Sequence, residues 1–154
     1  MKTPLERGAE VGGAKIVVGI DGSEASLDAL DWAGRQAQLT HAILEVFMTW
    51  DWPATYGWVT YLPEDYDPSE GMPDRVAKFA DDLRASYPEV EIRTQVTEGH
   101  PAPVLVDASK GADLLVVGSR GHGEFVGMLI GSVSEFCATH AHCPVLVHRA
   151  VVVP

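Results

Sequence analysis

Only two cysteines, Cys137 and Cys143, occur in the 154 residues, too few for a disulfide framework. Basic residues are scarce as well. Against 22 Asp and Glu stand 11 Lys and Arg, a formal net charge of −11. A polyanionic partner needs a basic stripe to neutralise its phosphates, and none is visible, so nucleic acid and anionic membrane surfaces are not expected partners. No apolar run approaches the roughly 18 residues that span a bilayer. The first residues, MKTPLERGAEVGGA, lack the apolar stretch of a secretion signal and carry glycine and charge instead. They are expected to form a flexible tail over 1–14. The remainder, 15–154, is expected to be one cytoplasmic domain, long enough to bury a substantial core.

Short apolar runs alternate with longer amphipathic segments. Lys15 to Ile20 reads as a buried strand, ending at Asp21-Gly22-Ser23, which can turn the chain and cap a helix. Ala25, Leu27, Ala29, Leu30, Trp32, Ala33 and Ala37 outline a helical face ending near Leu39. Ala42 to Met48 gives a second strand. The stretch from about Thr49 to Ser69 carries Trp50, Trp52 and Trp58 and reads as a long loop, either functional or simple cover for the sheet edge. A helix is predicted from about Gly71 to Tyr87, a strand from Val90 to Val96, and a short helix from His100 to Lys110. Pro101 suits the first turn of that helix and Gly111 its end. Asp113 to Gly118 is a fourth strand, Ser132 to about His140 a helix, and Pro144 to His148 a fifth strand.

Five apolar strands separated by helices imply right-handed crossovers and a doubly wound α/β fold, a parallel sheet covered on both faces. Ligands of such sheets sit beyond the carboxyl ends of the strands, where the strand order reverses. Two segments concentrate glycine and small hydroxyl residues there: Asp21-Gly22-Ser23, and Gly118 to Ser134. In the second, Gly118-Ser119-Arg120-Gly121 is followed after nine residues by Gly131-Ser132-Val133-Ser134. Glycine lets a backbone approach a polyphosphate, and the free N–H groups at a helix start favour anions. On spacing alone a mobile surface loop remains the other reading. Neither a Walker A loop nor a dinucleotide fingerprint after the first strand is present.

The G-x2-G-x9-G-S spacing after an apolar strand resembles the ATP-binding signature of the universal stress protein family. The resemblance includes Val17 to Ser23, Ala112 to Gly121, Leu129 to Ser134 and His142 to Val147, in the family's order. It implies a five-stranded parallel sheet in a three-layer α/β/α sandwich, adenine nucleotide alpha hydrolase-like, with strand order 3-2-1-4-5. It also implies membership of the ATP-binding subgroup. Carried over by position, Ile20, Asp21 and Ser23 belong to the nucleotide site, with Asp21 meeting the adenosine portion. Asp21 also reads as a plain turn or capping residue. The backbone near Val46 is implied to bond the adenine edge. Gly118, Ser119, Arg120 and Gly121 are implied to wrap ribose and phosphates, and Gly131, Ser132, Val133 and Ser134 to hold the phosphate tail.

The implied ligand is ATP with Mg2+, and the implied role a nucleotide-dependent stress-response or regulatory protein. Alternatives are a slow ATP hydrolase, or a binder of another adenine nucleotide such as AMP or cyclic AMP. Hydrolysis needs charge to stabilise the leaving phosphate, and the loop offers only Arg120. Family members commonly dimerise through the last strand, so a two-fold homodimer is expected. Cys137, His140, His142 and Cys143 offer zinc-ligand types, but the helix face and strand start that carry them favour packing instead. No G-x-S-x-G elbow supports nucleophilic catalysis. Glu64, Asp65, Asp67 and Glu70 lack EF-hand spacing and read as a solvated acidic loop.

Overall fold

Among the described residues the alternation of apolar runs and amphipathic segments resolves into nine elements. A computed structural model describes residues 13–52, 62–119 and 130–149. In chain order these hold β1 (Lys15–Ile20), α1 (Glu24–Thr40), β2 (Ile43–Trp50), α2 (Met72–Ser86), β3 (Ile92–Glu98), α3 (Pro101–Ala108), β4 (Leu114–Gly118), α4 (Ser132–His140) and β5 (Val145–His148). The strands form one parallel sheet in the order β3-β2-β1-β4-β5. The doubly wound α/β fold with order 3-2-1-4-5 is the observed one.

Side chains alternate across each strand, so the same short runs feed two cores. Ile16, Val18 and Ile20 of β1, with Leu44, Val46 and Met48 of β2, face α1 and α2. Val17, Leu115 and Val117 face the other way, against Leu105 of α3 and Cys137 of α4. Both faces are therefore apolar, which is why these strands read as unbroken hydrophobic runs. Leu44 and Leu115 are fully buried, each burial worth about 1.5–3 kcal/mol relative to exposure.

The helices begin and end where local chemistry dictates. Ser23 caps α1 with extended backbone angles, its hydroxyl accepting the Ser26 N–H. The buried residues Ala29, Leu30, Ala33 and Ala37 recur at helical spacing. Gly34 lies on the same face, where a Cβ would come within 2.8 Å of the Tyr87 ring. α3 starts on Pro101, whose missing N–H costs nothing in a first turn.

Three elements differ from expectation by two residues at an end: α3 stops at Ala108 rather than Lys110, and the other two are strands. β2 continues through Thr49 and Trp50, because these pair with Thr97 and Glu98 of β3. β3 itself starts at Ile92 rather than Val90; Val90 is buried but lies in the turn after α2. The register then places the carboxyl ends of β1, β2, β3 and β4 along one edge of the sheet. The chain leaves β1 toward β2 on one side, while β4 pairs on the other, so the strand order reverses between β1 and β4.

Candidate functional site

A cleft of about 400 Å³ opens at that reversal. Gly19, Ile20 and Asp21 supply it from the end of β1, and Val117 and Gly118 from the end of β4. Phe47, Thr49, Trp50 and Asp51 come from β2. Gly99, His100, Pro101 and Leu105 come from the β3–α3 turn and α3, and Ser132, Val133 and Ser134 from the first turn of α4.

The wall at β1 is a closed hydrogen-bonded turn. One Asp21 carboxylate oxygen accepts the Ser23 N–H at 2.8 Å. The Asp21 N–H donates to Ser26 Oγ, and that hydroxyl donates to the Ser23 carbonyl at 2.9 Å. Asp21 thus fixes the turn and also borders the cleft. The hydroxyl of Ser23 is occupied in capping α1, and Ser23 does not line the cleft.

The wall at α4 is tied to β4. Ser134 is buried and its hydroxyl donates to the Gly118 carbonyl. Its proton is therefore committed inside the protein rather than offered to a ligand. Ser132, two residues earlier in the same turn, is exposed and lines the cleft. Gly131 is the buried N-cap, its N–H donating to the Ser119 carbonyl at 2.6 Å. Its φ of −74° and ψ of 161° are open to any residue, so no dihedral demands glycine there. Ser119 donates its N–H to the His148 carbonyl of β5 and stands outside the cleft lining. Arg120 and Gly121 lie outside the described residues.

Val46 does not line the cleft. It sits in the ladder between Val18 and Thr94, with its side chain wholly buried on the α1/α2 face. The following residues of β2, beyond the packed centre of the strand, reach the opening instead. The Gly99-His100-Pro101 turn was not legible as part of the site. Its signal was present, a glycine directly after a strand, but only the register of β3 against β2 carries it to the cleft. Gly99 adopts φ 132°, a glycine conformation, and its N–H donates to the Trp50 carbonyl at 2.8 Å. Trp50 and Trp52 meet edge to face with ring centroids 5.9 Å apart.

Asp21, Asp51 and His100 are the titratable side chains among the described residues that line the cleft, and no lysine or arginine is among them. Away from it, Cys137 is fully buried beneath α4, and burial pushes its thiol up to about 11. Cys143 is half-buried, its pKa raised by burial and by the Asp113 carboxylate. Among the described residues no three His, Cys, Asp or Glu side chains gather in a way that could hold a metal ion. No helix among them is long and apolar enough to cross a membrane.

Chains of this fold recur among known proteins. Universal stress protein Rv2623 of Mycobacterium tuberculosis is 37% identical over 142 residues, covering 86% of this chain and 46% of the relative. The chain thus spans about half the length of the curated relatives it matches. A universal stress protein solved in complex with cAMP is 29% identical, with a TM-score of 0.65, covering 87% of this chain and 94% of that one. UspA from Lactobacillus plantarum is 26% identical with a TM-score of 0.68, covering 88% and 97%. The universal stress protein family model matches residues 14–149, from just before β1 to just after β5, and with these likenesses it follows that the chain belongs to that family.

Proposed function

We propose that the chain binds an adenine nucleotide in the cleft between the ends of β1 and β4, and that this binding serves a stress-response or regulatory role. The observation that carries this reading is the convergence of the Asp21 turn, Gly118 and the Ser132–Ser134 helix start on one opening of about 400 Å³. Open N–H groups at a helix start suit a phosphate, and the apolar wall of Ile20, Phe47, Val117 and Leu105 suits a base or sugar face. In the site, Ile20 and Asp21 border the adenosine, Ser132 donates its hydroxyl to phosphate, and Gly118 and Ser134 fix the wall between them. Ser119, Arg120, Gly121, Gly131 and Val133 complete the phosphate side of this proposal.

ATP is the first ligand of this reading, because the full G-x2-G-x9-G-S spacing is present. Mg2+ would screen the triphosphate, a charge that the described lining does not offset with lysine or arginine. The fit is to an ion carried by phosphate oxygens and water, since no protein cluster of ligands stands ready among the described residues. A second reading, a nucleotide with one phosphate, is favoured by the 29% identical relative solved with cAMP. Mass spectrometry of nucleotide released from freshly purified, heat-denatured protein tests both. Bound ATP supports the first and AMP or cAMP the second, while a nucleotide-free protein that also fails to take up any of the three removes the proposal.

Assembly belongs to the same proposal. Among the described residues β5 pairs only with β4 and so forms an edge of the sheet, and its four residues are half-buried. We expect a two-fold homodimer joined along this edge. Light scattering at micromolar concentration that returns the monomer mass excludes it.

A further inference from the structure

The end of β2 and the approach to α2 put aromatic rings in solvent at the rim of the cleft. Trp52 is 51% and Tyr66 39% exposed, two of four large exposed hydrophobic side chains among the described residues. These two are in contact. Trp52 meets Trp50 at 5.9 Å and Tyr66 at 6.5 Å between ring centroids, with planes inclined by 74° and 60°. Rings at such angles form a corner rather than a stack, and the exposure of Trp52 and Tyr66 leaves ring surface open to a third group. Both sides of the corner are anchored. Trp50 pairs with Glu98 in the β2–β3 ladder, and its carbonyl accepts the Gly99 N–H. The Tyr66 N–H donates to the Pro63 carbonyl, and the N–H groups of Glu70 and Met72 close further turns onto Asp67 and Ser69.

The charge around these rings has one sign. No lysine or arginine occurs between Arg35 and Arg75. Arg75 itself reaches the β1–α1 turn, where a Gly22 Cβ would lie 2.7 Å from its guanidinium. Asp51 separates the two indoles and accepts the Trp52 N–H at 2.8 Å. Glu64 and Asp65 precede Tyr66 and Asp67 follows it, all of them exposed. The Ser69 hydroxyl and N–H both donate to Asp67, which holds that carboxyl below its usual value and keeps it ionised. Elsewhere on the surface acids pair with bases, as Asp31 does with Arg35, Asp82 with Lys78 and Asp107 with Lys110. Asp51, Glu64, Asp65 and Asp67 enter no ion pair among the described residues.

Three kinds of occupant are thereby disfavoured. An anion is repelled. A second copy of this chain brings a net charge of the same sign. A purely apolar partner strips water from carboxylates and gives nothing back. A cation satisfies both halves of the corner, since a ring face attracts positive charge and a carboxylate pairs with it. Arginine fits best, because its flat guanidinium lies on an aromatic face and still forks onto a carboxylate.

We propose that the Trp50–Trp52–Tyr66 corner is a docking site for an arginine-bearing segment of a partner protein, seated at the rim of the cleft. The site stands whatever the cleft holds, because Trp52 and Tyr66 lie outside the cleft lining. The rings supply the contact area, and the carboxylates set the register and speed the encounter.

The probe is a short capped peptide alternating arginine and glycine, titrated into the full chain at about 0.15 M salt. A glutamate–glycine peptide of equal length is its counterpart. Calorimetry should show the arginine peptide binding and the glutamate peptide not. Trp52→Ala and Tyr66→Ala should each weaken the arginine peptide about two- to fivefold, the worth of one exposed cation–ring contact. Tyr66→Phe keeps the ring and should bind as wild type does. So should Leu39→Ala, which removes an exposed side chain near the end of α1, ahead of β2. NMR of the wild-type protein reads the contact without any substitution: the Trp52 and Tyr66 ring signals should move on addition of the arginine peptide, and the Leu39 methyl signals should not. A wild type that binds no arginine peptide, or that binds the glutamate peptide as tightly, overturns the proposal. Undiminished binding by both folded alanine variants, or ring signals that stay in place, also overturns it, since either leaves only diffuse attraction to an acidic chain.

Discussion

The buried hydroxyl of Ser134 donates to the carbonyl of Gly118, joining the first turn of α4 to the last residue of β4. Two serines two residues apart thereby acquire different work. Ser134→Ala removes an internal bond and should lower the unfolding free energy by about 0.5–1.5 kcal/mol. Ser132→Ala removes an exposed donor at the cleft and should leave stability within about 0.5 kcal/mol of wild type while weakening nucleotide binding about two- to tenfold. Urea unfolding and calorimetric titration of both variants read the two effects separately. If Ser132→Ala binds as wild type does, its hydroxyl does not touch the phosphate.

Gly19 is tight for a different reason. A Cβ there would lie 2.5 Å from Leu105 Cδ1 and 2.9 Å from Cδ2. Leu105 is buried and lines the cleft, so it has to move to admit a methyl group. Gly19→Ala should lose about 1–3 kcal/mol of stability, read by denaturant midpoint at unchanged m-value. An unchanged midpoint means that Leu105 rotates at no cost.

The two cysteines should differ in chemistry. The native Cys137 thiol is pushed from 9.0 up to about 11 by burial alone, so it stays neutral where an unfolded thiol ionises. Its raised pKa means that its contribution to stability is intact below pH 9.0 and is lost as pH rises from there through about 11. Cys137→Ser should flatten the alkaline fall in stability at the cost of a weaker core. Under native conditions a thiol reagent should modify Cys143 first and reach Cys137 at the rate of opening. Equal rates at both sites would contradict the burial of Cys137.

Trp50 borders the cleft and touches Trp52 edge to face. Adding nucleotide should therefore change intrinsic fluorescence, and Trp50→Phe should abolish most of the change. Unaltered emission alongside binding proven by calorimetry would show that the indoles only cover the sheet edge.

The parts of this fold legible in sequence are those whose residues answer to their own neighbours. β1 reads correctly from Lys15 to Ile20 because both faces are buried, leaving an unbroken apolar run. α1 reads correctly because Ser23 caps it with its own hydroxyl. The ends of β2 and β3 do not read, because Thr49 and Trp50 become strand only by pairing with Thr97 and Glu98. The site divides in the same way. The Asp21 turn and the Ser132–Ser134 helix start announce themselves locally. His100 and Asp51 reach the cleft through strand register, and the interior place of Val46 follows from its pairing on both sides. Even the hydroxyl of Ser134 is ambiguous in sequence, since its acceptor lies sixteen positions away.

Calorimetric titration of purified protein with ATP·Mg2+, AMP and cAMP, paired with Gly131→Val, tests the nucleotide site most directly. The valine places a branched side chain at a buried position beside the Ser132–Ser134 helix start. Wild type should bind at least one of the three nucleotides with one site per chain, and folded Gly131→Val protein, checked by circular dichroism and denaturant unfolding, should lose that binding. A wild type that releases no heat and shows no thermal shift with any of the three contradicts nucleotide binding outright. A folded Gly131→Val protein that binds with native affinity puts the phosphate site somewhere other than the start of α4.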